Sequence, residues 1–349
     1  MKEGATNIAN LAVIGKTVTA CVLGGTGGAL AYRLGFPAPW LVGSTIAVAM
    51  VSLTPLEPGV PAPLRNLAFV IIGASLGSGV DADTLAQASK WSLSLAMMLV
   101  GIPVMMAASY QYLHHIVRYD RPTAILAASP GGLSATMAMA AQGYGDIRQI
   151  ALIQCFRLLF LTAALPHLIA PLMPPASSLS VRNPDTALPA LAAMLALALA
   201  CGWLADRARI PAAFVISGVL VSAVLHASGI VAGGIANWIM APVFIVIGAV
   251  VGSRFVGFGI RDVVKGFRHG LVYVVIAGII SGLFAFVTSS LLGLPLGQVW
   301  VAFAPGGLEV MAAMALAFDF DPAFVAIHHL VRIICLAFFL PIVVRKLTD

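Results

Sequence analysis

Arg157 and Arg332 lie 175 residues apart, each near the middle of an apolar run. A guanidinium at bilayer depth costs about 3 kcal/mol by insertion scales, so each should face protein or water rather than lipid. Two chemistries suit them. They could clamp an anion with paired donors, or they could cap backbone carbonyls or pair with a carboxylate and hold a helix in place. Each has a polar neighbour three residues earlier, Gln154 and His329, on the same helical face. His329 and the adjacent His328 could shuttle protons, or pack as neutral hydrogen-bonding rings. Upstream of each arginine stands a glycine pair, in Ser129-Pro130-Gly131-Gly132 and in Ala304-Pro305-Gly306-Gly307. Such glycines let backbone approach a ligand or permit a tight turn, and short helices ending there aim partial charge at it. Ser129, Ser134 and Thr136 add hydroxyls. Glu309 follows the second glycine pair, where the first copy has Ser134. It could couple transport to an ion, or pair with an arginine. Candidate substrate-binding residues are therefore Ser129, Pro130, Gly131, Gly132, Ser134, Pro305, Gly306, Gly307, Arg157 and Arg332, and candidate ion-coupling residues are Glu309, His329 and Gln154.

The elements that carry these residues are written twice. At the same offset Met139 falls on Met314, Asp146 on Asp321, Pro166 on Pro341 and Ile72-Gly73-Ala74 on Ile247-Gly248-Ala249. The chain is one unit duplicated, residues 1–174 and 175–349. Of its 349 residues 60% are hydrophobic and 9% charged, against about 25% charged in soluble domains. An all-α polytopic membrane protein follows, because lipid-exposed backbone must satisfy its own hydrogen bonds. Each half reads as five apolar helices plus a Pro-Gly-Gly stretch, about 122–143 and 297–317.

Loop charge decides how those stretches meet the bilayer. If both are re-entrant hairpins, each half has five crossings and the halves are inverted. The loop cations then divide 13 inside to 3 outside, and inside holds Lys2, Arg118, Arg148, Arg261 and Arg345 while outside keeps Arg33, Lys90 and Arg182. Six crossings per half would divide them 7 to 9. The positive-inside bias selects the first: two inverted repeats of five transmembrane helices, each with a re-entrant hairpin, and both termini cytoplasmic. The net charge of +6 then needs no nucleic-acid partner. The basic stretch Arg254 to His269 is expected to be a loop before a helix at about 271.

Other residues read as structural. Asp146 and Asp321 are expected helix N-caps, as are Asp81 and Asp83. The Gly24-Gly25-Thr26-Gly27-Gly28 run lacks a phosphate-loop ending and implies close helix packing. Cys21, Cys155, Cys201 and Cys335 have no pairing or metal spacing, and the seven histidines form no cluster that would hold copper or iron. No metal, no cofactor and no enzyme activity is expected.

The doubled motif, the matched sequence after it and the chain length resemble the bacterial AbrB membrane family, over the full chain. Members of that family have been labelled putative ammonia monooxygenase or regulator. Paired glycine-rich hairpins in inverted five-helix repeats also resemble, in architecture, the bacterial glutamate and citrate symporters. These resemblances imply a multi-pass protein of the bacterial inner membrane. They further imply a secondary transporter of a small organic anion, working by elevator-like alternating access with a proton or sodium as coupling ion. A homodimer built on the early helices of each repeat is implied too. The rival reading is a membrane-embedded regulator that senses a small molecule without moving it.

Overall fold

The computed structural model describes residues 2–79, 91–131, 133–172 and 185–348. Gly132, Asp81 and Asp83 lie outside the described residues, as does the side chain of Ser134. Fourteen α-helices run through the described chain. The first seven are α1 Lys2–Arg33, α2 Pro39–Val51, α3 Ala62–Gly77, α4 Trp91–Gln111, α5 Arg121–Ala128, α6 Leu133–Ala141 and α7 Ile147–Ile169. The rest are α8 Leu188–Arg207, α9 Ala213–Ala227, α10 Asn237–Gly252, α11 Ile260–Leu292, α12 Leu296–Phe303, α13 Leu308–Ala317 and α14 Pro322–Thr348. Adding the sequence offset carries each helix of the first set onto its counterpart in the second. Among the described residues seven helices are long and apolar enough to cross a membrane, including α4, α7, α11 and α14.

One boundary differs from the sequence reading. Helix α11 starts at Ile260, so most of the basic stretch from Arg254 to His269 is helix rather than loop. Arg261, Lys265 and Arg268 recur at helical spacing and share one face, so the charges line a helix instead of interrupting it.

The chain divides into two compact units, each drawn from both repeats. The first, Met1–Gly79 with Ser178–Gly259, holds α1–α3 and α8–α10. Its helices meet through small residues. A Cβ on Gly73 would stand 2.2 Å from Val215 O, and one on the equivalent Gly248 2.7 Å from Leu41 O. Backbones in contact at that range exclude any side chain. In α1, a Cβ on Gly27 would meet Gly43 O at 2.4 Å, so the glycine run is a packing surface.

The second unit, Val80–Ser177 with Ile260–Asp349, holds α4–α7 and α11–α14, and with them every described candidate site residue. Its distinctive parts are the two broken pairs, α5/α6 and α12/α13. Eight to ten residues give each half-helix a length of about 12–15 Å, and none alone spans a hydrocarbon core of about 30 Å. The break comes where proline removes a backbone donor, at Pro130 and Pro305.

Candidate functional site

A helix that stops inside an apolar unit leaves its last carbonyls without intrahelical partners. Water cannot serve them there, so side chains must. Helices α7 and α14, which follow the two broken pairs, supply those side chains. Arg157 Nη1 donates to Ser129 O at 2.7 Å. Arg332 Nη1 donates to Ala304 O at 2.5 Å and its Nη2 to Gly306 O at 2.7 Å. Ser129 and Ala304 each precede the proline of their break, so the two arginines do the same work in both repeats. The residues three positions earlier complete the caps. Gln154 Nε2 donates to Leu126 O at 3.0 Å and Ser129 O at 3.1 Å, and His329 Nε2 donates to Val301 O at 3.0 Å. Leu126 and Val301 are equivalent positions.

Helices α7 and α14 are themselves fixed by equivalent caps. Asp146 accepts from Arg148 N and Gln149 N at 2.8 and 3.1 Å, and Asp321 from Ala323 N and Phe324 N at 2.9 and 3.1 Å. Both aspartates are the expected N-caps. Their own amides donate back to the broken pairs, Asp146 N to Thr123 Oγ1 at 2.7 Å and Asp321 N to Gln298 Oε1 at 3.1 Å. Each broken pair is thus tied at its start and at its break to the helix that follows.

The site is buried and cationic. Arg157 and Arg332 are each 1% exposed, and Ser129, Gln154, His328 and His329 are fully buried. Arg332 Nε and Gln154 Oε1 are buried and have no hydrogen-bond partner. No carboxylate among the described residues pairs with Arg332. Glu309 is half-buried in the first turn of α13 and forms no ion pair with Arg332, so the pairing considered for these two residues is not seen. Arg332 also reaches the other break. The Cβ that Gly131 lacks would stand 3.4 Å from Arg332 Nε and 3.6 Å from Leu336 Cδ1, and Gly131 has φ of +139°.

Sequence reasoning missed four participants. Tyr273 of α11 donates to Ala128 O at 3.4 Å. Thr123 and Gln298 fix the starts of α7 and α14. Ser94 of α4 lies 2.8 Å from His328 Nε2. None stands in the duplicated motif, though Thr123 and Gln298 are equivalent polar positions and could have been paired by offset. Pro305, Gly306 and the glycine-rich turn at Gly131 are brought together around the arginines, with Gly307 at the start of α13.

The family model described as "Transition state regulatory protein AbrB" matches residues 2–88 and 40–348. The chain belongs to the AbrB family. It is 25% identical over 345 residues to "Uncharacterized protein YhjN" of Bacillus subtilis (strain 168), covering 90% of this chain and 88% of that protein. It is also 26% identical over 327 residues to "Putative regulator AbrB" of Escherichia coli (strain K12), covering 88% of this chain and 90% of that protein. In this AbrB-family chain, among the described residues, no three His, Cys, Asp or Glu side chains gather as metal ligands would.

Proposed function

We propose that this AbrB-family membrane protein is a secondary active transporter of a small organic anion. The observation that carries the reading is the pair of buried arginines in one unit, of which Arg332 has an Nε–H with no hydrogen-bond partner and, among the described residues, no carboxylate partner. Buried positive charge without a counterion is expensive, and a bound anion offsets that cost. The breaks add the start of α13 and the backbone around Gly131, Gly306 and Gly307, which suit a carboxylate. Gln154 Oε1, buried and unpartnered, accepts a hydroxyl or protonated group on the same ligand. Ser134 and Gly132 belong to this proposed site by position.

The same proposal extends to topology and motion. Half-helices too short to span favour two inverted repeats of five transmembrane helices with re-entrant hairpins, both termini cytoplasmic, in the bacterial inner membrane. Duplicated discontinuous helices bearing the site are the usual basis of alternating access. The grouping of α1–α3 with α8–α10 supports an elevator-like scheme in which the unit bearing both breaks is the carrier and the other is a scaffold suited to a homodimer. Coupling is to a proton or sodium, with Glu309, His329 and Gln154 as candidate groups.

The second reading, a membrane regulator that binds a small molecule without moving it, draws on the names of the family and of the Escherichia coli relative, both of which call the protein a regulator. One experiment tests the binding step common to both. Thermal unfolding of the purified protein is followed against small mono- and dicarboxylates, amino acids and phosphonates, with sodium and pH varied. A ligand at 100 times its Kd adds about 2.7 kcal/mol to the folded state. The proposal expects an anionic hit that Arg332→Gln removes while the variant stays folded, since glutamine keeps a donor for Ala304 O. Hits confined to neutral or cationic compounds contradict it.

A further inference from the structure

The two adjacent histidines of α14 are built for different protonation states. His329 is committed to the neutral form. Arg332 Nη2 lies 2.6 Å from His329 Nδ1, and arginine only donates, so Nδ1 accepts and Nε2 carries the proton given to Val301 O. A second proton would set an N–H against the guanidinium. His328 is different. Its Nδ1 lies 2.7 Å from Phe324 O, which only accepts, so Nδ1 carries a proton. Its Nε2 meets Ser94 Oγ at 2.8 Å, and Ser94 Oγ also lies 2.8 Å from Trp91 O. A hydroxyl rotates. With His328 neutral, Ser94 donates to Nε2. With His328 protonated, Nε2 donates to Ser94 Oγ and Ser94 donates to Trp91 O. Every proton has an acceptor in both states.

We infer that His328 is the proton-binding site of the transport cycle, with Ser94 as the hydroxyl that adapts to its charge. This rests on the transporter reading, chooses the proton as its coupling ion and puts His328 in the place of Glu309, His329 and Gln154 as the group that binds it. Burial opposes a charged ring, and two aromatic faces oppose that penalty. The Phe324 ring centroid is 4.1 Å from that of His328 and the Phe303 centroid 5.8 Å, within cation–π range. Phe303 is the last residue of α12 and abuts Ala304, whose carbonyl Arg332 holds, so the charge on His328 bears directly on the second break. In the first repeat the equivalent of His328 is Ile153, so the switch is one-sided. The charged and titratable groups on neighbouring elements are few. Arg332 and His329 share α14, Glu309 lies on α13, α12 carries none, α5 has only Arg121, exposed at its start, and α4 brings Ser94 and Trp91 to the ring.

The test needs no substrate. The full chain, labelled with 15N-histidine in lipid bilayers, is titrated by solid-state NMR between about pH 8 and pH 5, around the ordinary histidine range. A titrating imidazole that disappears in His328→Asn is expected, with His329 staying neutral. Ser94→Ala, which keeps the ring, should move that titration to lower pH, and it serves if the asparagine variant does not fold. In a variant without the four native cysteines, maleimide labelling of Ala304→Cys, taken relative to Ser129→Cys to cancel the loss of thiolate in acid, should rise severalfold as pH falls. Titration of His329 or Glu309 instead, a wholly neutral His328, or pH-dependent labelling that survives His328→Asn would overturn the inference. If His328 titrates as expected but no anion crosses proteoliposome membranes, the transporter reading fails and the proton site stands.

Discussion

Arg157 and Arg332 each donate to the carbonyl that precedes the proline of their own break, Ser129 O at 2.7 Å and Ala304 O at 2.5 Å. The arginines therefore latch the broken helices as well as charging the site. Ligand binding and stability should be linked at these positions. Arg332→Ala strips donors from two buried carbonyls, and each such orphan costs about 1–3 kcal/mol. Chemical or thermal unfolding in detergent should show a loss of that order, with Arg332→Gln losing less.

Gly131 should not tolerate a side chain. Its φ of +139° is strained for any L-residue, and the added Cβ would press on Arg332 and Leu336. Gly131→Ala is expected to destabilise by about 1–3 kcal/mol. Gly25→Ala, where a Cβ meets nothing within 4 Å inside α1, should gain about 0.5–1 kcal/mol. Midpoints of thermal unfolding compare the two.

The caps of α7 and α14 should cost alike. Asp146→Ala and Asp321→Ala each remove a side chain that accepts from two amides, worth about 0.5–2 kcal/mol. Similar shifts at both positions would reflect their equivalence, and a shift at only one would contradict it.

Acid weakens one surface contact in a known direction. Glu57 pairs with Lys16 at 2.7 Å, and the hydrogen bond from Lys16, followed by its charge, holds the carboxyl below its ordinary value. Because the folded value is depressed, the contribution is present above the unfolded value and lost as pH falls through the folded one. Both groups are exposed, so Glu57→Gln should leave the midpoint at neutral pH nearly unchanged and slightly flatten its fall in acid.

Topology gives a further expectation. With re-entrant hairpins, Arg148→Cys should label only from the cytoplasm and Asp319→Cys only from outside, in a variant lacking the native cysteines. Labelling of both from one side would contradict inverted repeats.

Much of this was legible before any coordinates. The offset that joins Pro130 to Pro305 and Arg157 to Arg332 also predicts that Gln154 and His329 do equivalent work, and both broken pairs begin within two residues of their expected starts. The start of α11 was not legible, because Arg261, Lys265 and Arg268 look like loop charge until their helical spacing is noticed. The grouping of helices was hidden as well. A repeat shows which helices are equivalent, whereas packing depends on faces such as Gly73 against Val215. Ser94 was silent because its repeat counterpart is His269, a different chemistry at the same place.

The central claim is that an anion held at these breaks crosses the membrane. The anion that most raises the unfolding midpoint should be offered, radiolabelled, to proteoliposomes preloaded with the unlabelled compound. Transient accumulation above protein-free vesicles is expected, lost in Arg332→Gln. An anion that binds tightly yet never exchanges across the bilayer would contradict transport and leave a membrane sensor.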